Sequence, residues 1–122
     1  MSRKEQAVEL KHNGYNCCQA VLCAFKDEVD LPEEKLKQIG AAYGGGMGTM
    51  EATCGALCGA QMLLGLKNYK GSPIIKDAAE VHREFSKACG ASICKQLKGI
   101  DTGKVLCACD DCIRNAVEII EK

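Results

Sequence analysis

Asn16-Cys-Cys-Gln-Ala-Val-Leu-Cys-Ala-Phe-Lys-Asp-Glu-Val29 is the stretch that decides the fold class. Cys18, Val21, Leu22, Phe25 and Val29 recur at the i, i+3, i+4, i+7 spacing of a helix buried along one face. Asn16 stands just ahead of them, where a side-chain oxygen can accept from first-turn amides as an N-cap. The helical period continues in both directions. Residues 3–12 predict a short polar helix ending near Gly14. Pro32 followed by Glu33 and Glu34 predicts a helix start, with acids at the positive end of the dipole. Leu36, Ile39 and Tyr43 give that helix its apolar side. Gly44-Gly45-Gly46-Met47-Gly48 breaks the pattern, and a further helix is expected from about Glu51 to Lys67. Ser72-Pro73 reads as an N-cap followed by proline at the first helical position. Ile74, Ala78, Val81, Phe85 and Ala88 form the seam behind it, and Gly90 closes it. Ser92 is expected to cap a short turn through Lys98, with a loop over residues 99–108. Asp110 or Asp111 then caps a last helix with the stripe Ile113, Ala116, Val117 and Ile120. No run alternates with period two for long enough to form a sheet. The expected fold is all-α: a compact bundle of six or seven short helices with no substantial sheet.

The chain of 122 residues predicts one cysteine-rich helical domain over residues 1–122. A chain of this size can bury about two-thirds of its unfolded surface without covalent staples. Sixteen basic residues balance sixteen acidic ones, which argues against nucleic acid or an anionic membrane as the main partner. The most apolar stretch, Ala56 to Leu66, is too short to span a bilayer and contains Gln61. The opening Met-Ser-Arg-Lys-Glu-Gln has no apolar core and no cleavage site, so a cytoplasmic location is expected. Ten cysteines in a reducing compartment point to metal binding or redox chemistry rather than to structural disulfides. A secreted, disulfide-stapled scaffold fits poorly with helix signals along the whole chain.

The helix expected over residues 51–67 carries Ala52, Gly55, Ala56, Gly59 and Ala60 at spacings of three and four, on one face. Each interior glycine costs about 1 kcal/mol relative to alanine, so something must offset it. Close packing against another helix is favoured over a bulky cofactor lying on the small-residue face.

Four cysteines fall at expected helix starts. Cys17 follows the cap Asn16, and Cys54 lies near the start of the Gly/Ala helix. Cys94 follows Ser92 by two, and Cys112 follows the aspartate cap. Helix starts carry unpaired N–H groups and partial positive charge, which stabilise a thiolate. Thiolate is the form that binds metal and attacks disulfides. Four such placements suggest several helix ends directed at one anionic object.

Gly14-Tyr15-Asn16-Cys17, then Cys54-Gly55-Ala56-Leu57-Cys58-Gly59, then Cys94 and Cys112 resemble the C_GCAxxG_C_C family, whose members are described as putative redox-active proteins. The resemblance spans residues 10 to 120. It implies a small redox or metal-linked protein whose recurring cysteines map to Cys17, Cys54, Cys94 and Cys112. Cys18 competes with Cys17 for the first position. Cys107 and Cys109 compete with Cys112 for the last, where Cys112 is preferred because the apolar helix begins directly after it. Cys58 adds a sulfur one turn from Cys54. Cys18, Cys58, Cys107 and Cys109 are thus the accessory or substitute ligands. Cys18 and Cys23 are also expected core residues, with Cys89 leaning the same way.

An iron–sulfur cluster on four thiolates suits this pattern, with Gly44–Gly48 offering amides to cluster sulfurs. The spacing matches neither bacterial nor plant-type ferredoxin, so the cluster type stays open. Zinc would use the same ligands, but Cys109-x-x-Cys112 lacks a second matching knuckle. His12 and His82 are weak ligand candidates. Metal-free thiol–disulfide chemistry is the alternative, since Cys109-Asp110-Asp111-Cys112 is a CxxC at a helix start. The two aspartates oppose it by raising thiol pKa. A third alternative is an interaction module with inert buried cysteines. The expected role is electron transfer or redox sensing with a redox partner protein, self-association being open. No nucleotide motif, haem attachment motif or hydrolase-like acid–base pair is present.

Overall fold

The Asn16 signal acts as its chemistry dictates. In a computed structural model describing residues 1–122, Asn16 Oδ1 accepts from the Gln19 amide at 2.8 Å, and Gln19 Oε1 accepts from the Asn16 amide at 2.9 Å. This reciprocal capping box starts α2 (Cys17–Ala24). Ahead of it lies α1 (Arg3–His12); behind it come a single 3-10 turn (Lys26–Glu28), α3 (Glu33–Gly40), α4 (Gly44–Met47) and α5 (Gly55–Asn68). α6 (Ile75–Cys89), α7 (Cys94–Lys98) and α8 (Cys109–Glu121) complete the chain. The only strand-like pairing is one antiparallel bridge, Thr53 to Ile93. The fold is all-α, with one helical element more than expected because the glycine run folds into a turn, α4. No helix is long and apolar enough to cross a membrane.

α2 is the hub of the packing, set against α1, α3 and α5, while α8 closes over α1, α5 and α6. Leu22, Phe25, Leu57, Phe85, Leu97 and Ile113 fill the centre and are fully buried. The small-residue face of α5 is explained by close packing. A Cβ on Gly59 would stand 3.0 Å from the Cys18 carbonyl oxygen and 3.1 Å from Val21 Cβ. The two helix backbones therefore approach more closely than any larger residue would allow, and the dispersion attraction between them offsets the glycine cost.

Several expected caps are replaced by tertiary contacts. Helix α5 begins at Gly55, four residues later than expected, because the Cys54 amide donates to the Ser92 carbonyl at 2.8 Å and holds the preceding segment extended. Helix α6 begins at Ile75, after Ile74, not at Pro73. Ser92 and the aspartates cap nothing: α7 starts after Ile93 and α8 after Ala108. Asp110 and Asp111 instead sit within the first turn of α8. On α3, Ile39 is exposed, and Leu36 is the apolar side chain that reaches the core. On α6, Cys89 takes the inward position in place of exposed Ala88.

α1 and α8 run antiparallel and are joined by side-chain ion pairs. Arg3 meets Glu121 at 3.7 Å, Lys4 pairs with Glu118, Glu5 with Arg114 at 2.9 Å, and His12 with Asp110 at 2.8 Å. Exposed pairs of this kind each contribute little. The buried Ala7 and Val8 beneath them contribute more.

Candidate functional site

The four cysteines singled out by their sequence positions lie on one wall system. Cys17 is the first residue of α2, Cys54 immediately precedes α5, Cys94 is the first residue of α7, and Cys112 lies one turn into α8. All four line a single cavity of about 250 Å³, together with Gly45, Met50, Lys98 and Cys109. The lining contains no carboxylate and no imidazole. His12 is exposed and paired with Asp110, and His82 is exposed.

Of the competing sulfurs, Cys18 points away: it is fully buried, with its Sγ 3.9 Å from Met62 Sδ. Cys58 also lies off the cavity, with its Sγ 3.9 Å from the Thr53 carbonyl oxygen. Burial pushes the thiol of Cys18 up to about 12 and that of Cys58 up to about 11. Cys23 is a core residue on the far side of α2. Cys109 shares the cavity wall with Cys112 and occupies the first position of α8.

The glycine run brings these elements together. A Cβ on Gly44 would collide with Asn16 Cβ at 2.6 Å, one on Gly46 with Cys94 Cβ at 2.7 Å, and one on Gly55 with Cys17 Sγ at 2.5 Å. Three hydrogen side chains thus let the starts of α2, α5 and α7 converge. Gly45, Gly46, Met47 and Gly48 all have left-handed φ, and so does Met50 at +66°. A non-glycine residue held there stores about 1–3 kcal/mol of strain. Met50 is pinned by its carbonyl, which accepts from the Lys95 amide at 2.7 Å. Its thioether lies 3.7 Å from Cys94 Sγ. Asn16 anchors the same assembly, its Nδ2 donating to the Gly40 carbonyl at 3.0 Å and the Ala41 carbonyl at 3.2 Å. Asn16→Ala therefore removes the cap and both ties, and is expected to cost about 1–2 kcal/mol, read as a lower urea midpoint at unchanged m-value.

Charge is distributed unequally among the sulfurs. Hydrogen bonding from Cys112 first and Cys17 second, then the facing Ala56 and Leu57 amides of α5, holds the Cys54 thiol far below the ordinary range. Cys17 and Cys112 are held well above it, each chiefly by the hydrogen bond to Cys54. Of the three sulfurs, Cys54 is the one drawn toward the thiolate form. Burial raises Cys94. Burial opposes the Lys98 ammonium, but the bond to the Cys109 sulfur and the negative charge of the neighbouring sulfurs raise its pKa on balance. The cavity therefore carries a fixed positive charge beside its sulfurs.

A second sulfur group adjoins the first. Cys89, Cys107 and Cys112 are buried, and their Sγ atoms lie within 4.8 Å of one another, so that one metal ion could touch all three. Cys112 belongs to both groups. Its Sγ donates to the Cys107 carbonyl oxygen at 3.6 Å. Cys89 lies below the ordinary thiol range because Cys112, and then Asn115, hydrogen-bond to it. The sequence pattern points Cys89 toward packing, and the structure gives it sulfur neighbours as well. The signal that marks it is its register, four residues after Phe85 on the buried face of α6. Met50 and Lys98 carry no sequence signal, since both reach the cavity only through tertiary placement.

The family description "Putative redox-active protein (C_GCAxxG_C_C)" matches residues 15–122. No curated protein and no solved structure matches the chain.

Proposed function

The chain belongs to the C_GCAxxG_C_C family, and from that premise we propose that it is a redox protein carrying an iron–sulfur cluster in the cavity, held by Cys17, Cys54, Cys94 and Cys112. The observation that carries this is the convergence of four separate helix starts on one cavity of about 250 Å³ with sulfur as its only anionic donor. The donor set fits such a group. Thiolates are the ligands iron–sulfur clusters use, and hard cations would require the oxygen donors that are missing here. Cys109 stands on the same wall as the substitute for Cys112. Bound there, the cluster would supply reversible one-electron chemistry. Lys98 offsets the negative charge of the thiolates, which favours the reduced, more negative state. Gly45 brings backbone to the cavity without a side chain, and its amide faces the Cys17 sulfur. The protein's role is electron transfer or redox sensing alongside a redox partner protein in the cytoplasm.

Metal-free thiol–disulfide chemistry is the second reading, favoured by one observation: Cys17, Cys54 and Cys112 line the same cavity, with the Cys54 thiol drawn below the ordinary range and the other two raised. Anaerobic purification with iron and acid-labile sulfide analysis separates the two. The expected result is coloured protein with iron and sulfide in equal amounts. Colourless, metal-free protein of normal stability after anoxic reconstitution would exclude the cluster and leave the dithiol.

A further inference from the structure

We infer that Cys89, Cys107 and Cys112 form a second metal site, sharing only Cys112 with the cavity, for a single soft cation of the copper(I) class. Where the cavity carries a cluster, the inference requires Cys109, already on the cavity wall, to take the place of Cys112 there. Its first support is size. Three thiolates around one ion at a metal–sulfur distance of about 2.3 Å stand about 4.0 Å apart. The three Sγ atoms here already lie within 4.8 Å of one another. Closing the remaining gap takes side-chain rotation of tenths of an ångström, not movement of helices.

The second support is chemical. The three sulfurs come from three places in the fold: the last residue of α6, the 99–108 loop and the first turns of α8. No carboxylate or imidazole joins them as a fourth donor. Three soft donors without a fourth suit a three-coordinate thiophilic ion. Zinc in a closed protein site takes four ligands.

Asn115 supplies the third support. Its Nδ2 donates to Cys89 Sγ at 3.3 Å and points at Cys107 Sγ at 4.0 Å. A part-buried amide directing both hydrogens at sulfur is how an outer residue orients thiolate ligands. Cysteines serving as packing would need no such donor. Cys112 links the two sites. When it turns toward Cys89 and Cys107, Cys109 remains on the cavity wall to replace it.

The test uses the full-length chain with Cys17→Ser and Cys94→Ser, which strips two sulfurs from the cavity and none from the second site. Copper(I) is titrated anaerobically against a chromophoric copper(I) chelator. One equivalent is expected to resist the chelator, and adding Cys89→Ser or Cys107→Ser is expected to weaken its retention more than about 100-fold, since loss of a ligand exceeds the loss of an outer-shell partner. Asn115→Ala should weaken it about 10- to 100-fold. Cys58→Ser, a buried cysteine outside both groups, should leave it unchanged and controls for folding. Retention that survives loss of both Cys89 and Cys107 would overturn the inference, as would preferential uptake of zinc(II) over copper(I). Iron and sulfide in the single variant Cys89→Ser report on the cavity separately. Their absence alongside the expected copper pattern would sink the cluster and leave the second site standing.

Discussion

Cys54→Ser is expected to abolish the proposed cluster and to remove the sulfur most drawn toward negative charge together. Cys54 is the sulfur that shares the cavity with Cys17 and Cys112, whose influence together with the first amides of α5 holds its thiol far below the ordinary range. Serine at this position ionises far outside the accessible range, so neither the charge nor a soft ligand survives. Iron and sulfide in anaerobically purified protein should fall at least about tenfold, the lower bound for losing metal-site support. The metal-free protein gives an independent readout. Its far-ultraviolet thiolate absorbance should include a sulfur ionised across the neutral range, and the variant should lack it. The pH dependence of stability has a definite sign. A thiol with a depressed folded-state pKa contributes stability that is fully present above the unfolded value, about 8.5. That contribution is lost as pH falls toward the folded value of about 3. The stability gap between wild type and Cys54→Ser should therefore narrow steadily on acidification. A gap independent of pH would show that Cys54 is an ordinary protonated thiol.

Gly46→Ala is expected to be the most disruptive small substitution in the run Gly44–Gly48, where this position alone combines a left-handed φ with a collision. Its φ of +61° is costly for any L side chain, at about 1–2 kcal/mol. Its Cβ would meet Cys94 Cβ at 2.7 Å and the Ala52 carbonyl oxygen at 3.1 Å. Neither neighbour is the free end of a flexible side chain, so relief requires backbone movement, at about 1–3 kcal/mol more. The sum is a loss of about 2–5 kcal/mol in urea denaturation, with Cys94 displaced from the cavity and cofactor content falling with it. Gly48→Ala isolates the two effects, because its φ is +83° but nothing lies within 4 Å of the added Cβ. Gly48→Ala should cost only the backbone part and should retain the cofactor. Equal losses in the two variants would show that the contact with Cys94 is immaterial.

What the sequence reveals depends on whether a signal is local. The α2 start is legible because Asn16 and Gln19 cap one another within four residues. The α6 seam is legible at Val81 and Phe85, where the helical period alone decides burial. The starts of α5 and α7 are not, because they are set by bonds across the fold: Cys54 amide to Ser92 carbonyl, Cys94 amide to Ala52 carbonyl, Lys95 amide to Met50 carbonyl. Ser92 looks like a cap and serves instead as a carbonyl acceptor. The same division runs through the candidate site. Cys17, Cys54, Cys94 and Cys112 can be picked out by their proximity to helix starts, and the fold sets all of them around one cavity. Lys98 and Met50 cannot, since a lysine at the end of a short helix and a methionine in a glycine-rich turn have no local mark of function. The choice between Cys109 and Cys112 depends on where α8 begins. With Ala108 as the cap, Cys109 takes the first helical position, ahead of the aspartates that the sequence pattern offers as caps.

The antiparallel joining of α1 and α8 has a mechanical consequence. Arg3 faces Glu121 at one end of the pair, and His12 faces Asp110 at the other. Tension applied between residues 1 and 122 therefore loads these contacts one after another, from Arg3–Glu121 inward, instead of shearing them all at once. Such a geometry peels at low force. The first element to come away is α1, which lies outside the residues matched by the family, 15–122. The body that holds both sulfur groups would feel the load only after that helix had detached.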